Sequence, residues 1–231
     1  MNKIVAVFCF FILFIVDANA QTHSDSIAIN FNLKWNNKPL ETNKKYYSKN
    51  DSLQISTLKF YVSNLIIKYN DQAIFQENNS YHLIDIENSE SLNFNICKKS
   101  EKSIAAIEFN VGIDSLTSVS GALSGDLDAT NGMYWAWQSG FINMKIEGTS
   151  NSCDTRKNQF QFHIGGYKKP NFALRKIKLI ANQNTKNEVS VAVDLAKLFN
   201  AIDLKQNNSI MIPCEKSMKM ADLSTRMFTL E

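Results

Sequence analysis

Alternation of apolar and polar residues is the feature of this chain that most restricts its fold. Ser26–Trp35, SIAINFNLKW, alternates as a strand with one buried face does. Leu53–Tyr69 predicts two further strands with a break near Ser63-Asn64. Similar runs, rich in β-branched and aromatic residues, follow at Tyr81–Ile86, Ile104–Val111, Met133–Ile146, Asn158–Ile164, Phe172–Ala181 and Glu188–Val193. The pattern predicts a mainly β protein.

Helical patterns are few and short. Asp194–Phe199 predicts one short helix, and the apolar spacing after Ser217 predicts another at the C-terminus. Segments 43–51 and 112–132 are polar and are predicted to be loops. No repeat, linker or shift in composition divides the sequence, so we expect a single β-sandwich-like domain with a few short helices.

Residues 1–20 have the layout of a secretory signal peptide. Lys3 precedes an apolar run from Ile4 to Val16, and Ala18-Asn19-Ala20 supplies a small-residue cleavage site. No later segment is apolar enough to cross a bilayer. We expect a mature chain, 21–231, that is extracytoplasmic and has no stable membrane insertion. Its cysteines allow at most one disulfide, of open pairing, among Cys97, Cys153 and Cys214.

Charge and motifs argue against two large classes of function. The net charge is only +3 and the lysine pairs are isolated, so we expect no nucleic-acid partner. The sequence contains no G-x-S-x-G, no H-E-x-x-H and no phosphate-binding glycine motif. Histidines that could act as a base near neutral pH are few. We therefore expect that the protein is not an enzyme.

Two histidines lie in predicted strands. His163, in QFQFHIGGY, shares the polar face of its strand with Gln161. His82, in YHLIDI, alternates with Ile84 and Ile86 and so is expected on the apolar side. For each, a hydrogen-bonded structural histidine is the more frequent interpretation, and a metal ligand is the alternative. His23 lies at the start of the mature chain, where we expect mobility.

The segment Gly132–Gly148, GMYWAWQSGFINMKIEG, holds two of the three tryptophans. In a regular strand, Met133, Trp135 and Trp137 would point to one face and Tyr134 to the other. Rings so placed predict an aromatic core, with a ring platform for sugars or for a metal site as the alternative. The thioethers of the chain suit Cu(I), although methionine more often fills gaps in a core.

Several segments, taken in order, resemble the MbnP-like family of bacterial extracytoplasmic copper-binding proteins. The most specific are GMYWAWQSGF at Gly132–Phe141 and FHIG at Phe162–Gly165. The other matching segments are LKFYVSNL at Leu58–Leu65, YHLID at Tyr81–Asp85, IEFNVGID at Ile107–Asp114, GDLD at Gly125–Asp128 and ADLSTRMF at Ala221–Phe228. The resemblance spans nearly all of the mature chain.

This resemblance implies a mostly β domain that binds copper, held as Cu(I) in relatives. In such relatives a partner dihaem enzyme resembling MauG oxidises one tryptophan to kynurenine, whose aryl amine can join histidine nitrogens at the metal. His163 matches the family's Phe-His-x-Gly histidine and is the first candidate ligand. Trp135 and Trp137 match the tryptophan pair, and His82 is a weaker candidate in a matching strand.

The first strand departs from the family pattern. Relatives often carry histidine there, whereas this chain offers Asn30, Asn32 and Trp35. The ligand set implied by the resemblance is then one short unless another donor substitutes, from among His82, His23, Met133 and the cysteines.

These observations lead to one expected function and two alternatives. We expect an exported protein that captures, stores or delivers copper, with a site built from histidine and a kynurenine made from Trp135 or Trp137. The first alternative is an envelope β-sandwich that binds glycans or a protein partner through its aromatic face. The second is a structural envelope module that binds nothing small.

Overall fold

The alternating segments form strands along most of the chain. The structure is a computed structural model that describes residues 26–49, 51–98, 101–121, 123–182 and 185–231. The predicted signal peptide at 1–20 and His23 lie outside the described residues.

The strand bounds follow the chain from its first described residue. The strands are β1 (Ser26–Trp35), β2 (Lys38–Pro39), β3 (Lys45–Tyr47), β4 (Ser52–Tyr69), β5 (Ile74–Gln76), β6 (Tyr81–Asp85), β7 (Asn93–Lys98), β8 (Ile104–Val111), β9 (Tyr134–Trp135), β10 (Gly140–Ser150), β11 (Gln159–Gly165), β12 (Tyr167–Lys168), β13 (Asn171–Phe172), β14 (Arg175–Ile180), β15 (Glu188–Asp194), β16 (Ser209–Ile210) and β17 (Phe228–Leu230).

The long strands form two sheets that face each other. This confirms the predicted mainly β fold. The small sheet has the order β17-β15-β1-β2, with β7 also paired to β1. In the large sheet, hydrogen-bonded neighbours follow the path β14-β8-β4-β10-β11-β16, where β10 and β8 pair with successive parts of one edge of β4; β3, β6 and β5 pair with its other edge, and β9 pairs with β10. β12 and β13 form a separate hairpin. We call the face of the large sheet that packs on the small sheet its inner face, and the opposite one its outer face.

The core between the sheets is built from the apolar residues of the alternating pattern. Phe31 of β1 packs edge-on against Phe60 of β4 and Phe109 of β8, with ring centroids 5.9 and 5.8 Å apart. All three rings are almost completely buried. Aromatic pairs at such spacing add to the free energy gained by burial. Contacts between aromatic rings of the two sheets therefore hold the sandwich together.

The segment predicted as two strands is the single 18-residue strand β4, so the predicted break is wrong. The register shifts between Ser63 and Ile66, where Asn64 has a φ of 50°. Asparagine tolerates this left-handed conformation, so a bulge replaces a chain break. Because of the shift, residues on both sides of the bulge keep their apolar side chains on the inner face.

The helices are short. They are α1 (Ser115–Val119), α2 (Leu195–Phe199) and α3 (Glu215–Ser224), with a 3-10 turn at Thr225–Met227. The carboxylate of Asp194 accepts the Ala196 N–H and so begins α2 where the sequence predicts a helix. The predicted C-terminal helix is confirmed as α3. In the segment predicted as a loop, Asp114 caps α1 in the same way.

The described residues contain no helix of the length and apolarity needed to span a bilayer.

One buried carboxylate on the outer face makes the stability of the protein depend on pH. Glu108 pairs with Lys176 at 2.6 Å and Lys68 at 2.5 Å, and these hydrogen bonds lower its pKa from 4.5 to about 2. Because the folded pKa lies below the unfolded one, this carboxylate stabilises the fold above pH 4.5 and loses that effect as pH falls towards 2.

We expect Glu108→Gln to lower the free energy of unfolding by about 1–3 kcal/mol at pH 7, since two charge-assisted hydrogen bonds are lost. The difference from the wild type should shrink below pH 4.5. Urea denaturation at several pH values measures both. Glu41→Gln is the control, because Glu41 and its partner Lys44 are largely exposed. A loss for E108Q that does not change with pH would contradict the assignment.

Candidate metal centre

A row of charged side chains crosses the outer face of the large sheet. Strand register places His163 beside Lys145, Lys145 beside Lys59, and Lys59 beside Asp85. Lys59 forms an ion pair with Asp85 at 2.8 Å. Side chains that are direct cross-strand neighbours on one face lie close enough to interact. His163 is thus the end member of this row.

His163 is held by a carboxylate from the neighbouring strand. Its Nε2 lies 2.6 Å from Oε1 of Glu147, and the residue is only 7% exposed. The hydrogen bond from His163 lowers the pKa of Glu147, against the opposing effect of burial. A histidine that binds a metal through one ring nitrogen commonly donates its other N–H to a carboxylate. The Glu147–His163 pair has this arrangement, with Nδ1 as the nitrogen left for a ligand.

The tryptophan segment is a hairpin and not the regular strand that the sequence predicts. The chain turns at 136–139, where Ser139 has a φ of 51°, so that β9 runs back along β10. Trp135 is buried at 6% exposure, whereas Trp137 lies in the turn at 64%. The predicted common face for Met133, Trp135 and Trp137 is therefore wrong for Trp137. The two indole rings still touch, with centroids 5.9 Å apart.

Trp135 lies against the strand that carries His163. A Cβ added to Gly165 would be 2.7 and 2.9 Å from two atoms of the six-membered ring of Trp135, so only glycine allows this contact. Gly165 lies two residues beyond His163 on β11 and shares its face. The structure therefore places Trp135, with Trp137 against it, near the end of β11, two residues along the strand from His163.

An apolar cluster fills the space under the hairpin next to these residues. Its members are Tyr61, Leu83, Ile113, Leu127, Met133, Trp135, Phe141 and Ile142. Met133 is completely buried there, so its thioether lies in the same cluster as Trp135. Lys145 links this cluster to the charged row, because its Nζ donates to the carbonyl of Gly132. Burial lowers the pKa of Lys145.

His82 lies on the other face of the sheet. It pairs with Val62, whose side chain belongs to the inner core, and its ring stacks on Phe94 at 3.7 Å. Its Nε2 lies 2.8 Å from Oε2 of Glu77. The apolar side predicted for His82 agrees with this position. Because the sheet separates the two histidines, the structure does not bring His82 to His163.

The other donors named from the sequence lie elsewhere. Asn30 and Asn32 are on the small sheet, where they donate to Glu188 and Glu231. Among the described residues, no group of three or more His, Cys, Asp or Glu side chains is arranged to hold a metal ion. The encoded donor that the structure describes at the candidate site is His163, held by Glu147, and the thioether of Met133 lies in the adjoining apolar cluster with Trp135.

The cysteines that the structure describes are free thiols, and neither is a member of this apolar cluster. Cys153 is buried and its Sγ lies 3.8 Å from the carbonyl of Leu204. Burial, with the charge of Asp51, raises the pKa of Cys153 to about 11. Cys214 caps α3 and is partly exposed. The side chain of Cys97 lies outside the described part, so the pairing that the sequence leaves open stays open.

Sequence reasoning missed Glu147 and Gly165. A signal for Glu147 was present, because Lys145-Ile146-Glu147 alternates and places the carboxylate on the polar face of its strand. The register that sets it beside the His163 strand pairs Lys145 with His163 and Glu147 with Gln161, and no local pattern predicts this pairing between two strands.

Comparison with known proteins places the chain in a family. The MbnP family model matches residues 24–212. The chain is a member of the MbnP family. The solved structure of MbnP from Methylosinus trichosporium has a TM-score of 0.55 to this chain, with 13% sequence identity and coverage of 78% of each chain. That likeness establishes the fold. No curated protein matches the chain. Membership of the MbnP family supports a copper-related role in general.

The contact between Trp135 and Gly165 can be tested directly. We expect Gly165→Ala to push the indole out of its position and to destabilise the fold by about 1–3 kcal/mol, as overpacking does. In a background that carries Trp35→Phe and Trp137→Phe, so that Trp135 is the remaining tryptophan, its emission should shift to the red and become accessible to quenchers. Gln161→Ala, on the same face of β11 but away from the ring, is the control. An unchanged spectrum for G165A would contradict this packing.

Proposed function

We propose that this MbnP family member is an exported copper-binding protein that captures, stores or delivers copper as Cu(I). The observation that carries the proposal is the Glu147–His163 pair beside Trp135 on the outer face. The carboxylate orients the imidazole, and the apolar cluster excludes water from one side of it. Family membership supports copper as the metal, and this geometry supports the proposed position.

The donor chemistry fits Cu(I) with one ligand missing. His163 offers an imidazole nitrogen, and Met133 offers a soft thioether of the kind that selects Cu(I). Two cationic neighbours in the row, Lys145 and Lys59, are each close to a carboxylate, Glu147 and Asp85. Because these charges largely cancel, a bound monovalent cation adds less net charge to the row, and so less electrostatic repulsion, than a divalent one.

Oxidation of Trp135 to kynurenine would supply the missing donor. Cleavage of the indole C2–C3 bond inserts both atoms of O₂, and hydrolysis of the resulting formamide with one water releases formate and leaves an aryl amine. We assign this role to Trp135 because its ring lies against Gly165, beside His163, whereas Trp137 is mostly exposed. A partner enzyme such as a MauG-like dihaem protein would perform the oxidation and would approach through the exposed Trp137.

Other parts of the proposal rest on the sequence. The signal peptide at 1–20 supports a location outside the cytoplasm, in the periplasm or at the cell surface. We propose no catalytic turnover by the chain itself, since its chemistry is that of a receptor for a metal ion.

One observation favours a second candidate function. Trp137 is 64% exposed, and an exposed indole can stack on a sugar ring or a protein partner. Quenching of Trp137 fluorescence by glycans and not by copper would favour this alternative over the metal site.

The two histidines provide a matched test of the copper site. We expect the wild type to bind one copper ion per chain and His163→Ala to lose it. His82→Ala should retain it, because His82 lies on the other face of the sheet. Native mass spectrometry after anaerobic Cu(I) loading measures the stoichiometry. Retention of copper by H163A, or its loss from both variants, would contradict the assignment.

The orienting carboxylate gives a graded version of this test. Glu147→Gln should weaken copper binding by about 10–100-fold without removing it, as is typical when the hydrogen-bond partner of a metal-bound histidine is changed. Competition with a Cu(I) chelator measures the affinity. Glu77→Gln, which changes the partner of His82, is the control and should leave the affinity unchanged.

Peptide mapping of 132–148 tests the assigned tryptophan. In protein recovered from its own cell envelope, we expect the mass of N-formylkynurenine or kynurenine at Trp135 and unmodified Trp137. Modification of Trp137 alone would contradict the assignment and leave copper binding to be judged by the histidine variants.

A further inference from the structure

Exposed apolar side chains collect around the tryptophan hairpin. Most of the large apolar residues that are exposed in the described part of the chain lie at this end of the large sheet: Leu116, Val119, Trp137, Phe172, Met211 and Ile212. Contiguous exposed apolar surface on a protein of this kind marks a site of interaction. Part of this surface adjoins the candidate metal centre, because the ring of Trp137 touches that of Trp135.

Packing holds these residues in one surface. Tyr167 is close to the base of the hairpin, since a Cβ on Gly140 would lie 2.8 Å from its ring. Ser115 of α1 donates to the carbonyl of Tyr167 at 2.6 Å, and Asn171 donates to the carbonyl of Pro213 at 3.3 Å. A cavity of about 310 Å³ opens between these elements. Its lining is Gln138, Gly166, Tyr167, Lys168, Lys169, Asn171 and Pro213.

The charge of this surface is positive. Lys168 and Lys169 are exposed, and no carboxylate lines the cavity. The Nζ of Lys168 lies 5.1 Å from the ring centroid of Tyr167. On α3, which packs against β13, two carboxylates already have cationic partners: Asp222 with Arg175 and Glu215 with Lys219. We define the exchange face as Trp137, Tyr167, Lys168, Lys169, Phe172 and Ile212.

We propose that copper enters and leaves at the exchange face, in contact with a protein that presents carboxylates around an apolar centre. The proposal rests on the proposed copper site. The ring of Trp137 contacts that of Trp135, which we assign to that site. Tryptophan and tyrosine are enriched among the residues that dominate the energy of protein interfaces, and this face presents Trp137 and Tyr167. Lysines without acidic partners attract an anionic surface and raise the rate of encounter.

The probe for this proposal is Cu(I) bound to bathocuproine disulfonate. This chelator has aromatic rings that carry anionic sulfonate groups, so it presents negative charge around an apolar centre. Stopped-flow absorbance follows transfer of copper from this complex to the protein. Two variants change the net charge equally: K168E/K169E on the exchange face, and K38E/K197E on β2 and α2 of the other side of the sandwich. Lys38 and Lys197 are both exposed.

We expect the second-order rate constant at low salt to fall about tenfold for K168E/K169E and much less for K38E/K197E, because steering depends on where the charge lies. The difference should disappear at high ionic strength. Copper bound at equilibrium should equal that of the wild type in both variants, since neither touches the metal ligands.

Equal slowing of both variants, or slowing of neither, would overturn the proposal. So would unchanged copper transfer together with Lys168- and Lys169-dependent binding to phosphatidylglycerol vesicles, or with Lys168- and Lys169-dependent dimerisation, since these outcomes assign the face to a lipid surface or to a second copy. Failure of the proposed function itself is distinct, because then the wild type binds no copper in the loading experiment.

Discussion

Backbone pairing along both edges of β4 is the constraint on which the rest of the structure depends. One edge carries β10 and then β8, and the other carries β3, β6 and β5. Such a long strand can serve so many partners only if its backbone groups stay paired while its side chains keep their faces. The bulge after Ser63 meets this need. β10 and β8 follow one another along the first edge, and a hydrogen bond connects them there. Oδ1 of Asn143, in β10, accepts the N–H of Ile113, which follows β8, at 3.1 Å.

The position of the site follows from this arrangement. Where β6 and β10 flank β4, its outer face presents Lys59 and then Tyr61, a charged residue followed by an apolar ring. The charged row ends at His163, and the apolar cluster begins at Tyr61. The hairpin covers the boundary between the two. The proposed ligand His163 therefore lies in a charged row that runs beside an apolar cluster, and an apolar surround limits the access of water to a bound metal ion.

Alternation was sufficient to predict most of the long strands and the faces of the two histidines, because period two is a local property of the chain. The sequence of the hairpin turn, Ala136–Ser139, contains no Asn-Gly or Asp-Gly pair, and so the turn was hidden inside an apparently continuous strand. Its consequence is large, since it exposes Trp137 and buries Trp135. The Glu147–His163 pair and the Trp135–Gly165 contact depend on register between distant segments, which only the folded chain determines.

The hairpin buries Trp135 and exposes Trp137, so that two conflicting requirements are met by two different residues. Under the proposed function, a metal ligand made from Trp135 must be rigid and shielded, whereas a contact for partners at Trp137 must be exposed. Had both rings followed one regular strand, they would have been buried together or exposed together. The turn with Ser139 in a left-handed conformation separates them by one residue of sequence while their rings stay 5.9 Å apart. The distribution of charge shows the same division. Carboxylates balance the lysines near His163. Lys168 and Lys169 are exposed and have no acidic partners among the described residues. A near-neutral interior site beside a cationic exterior suits the passage of a monovalent metal ion from an anionic donor to a shielded ligand.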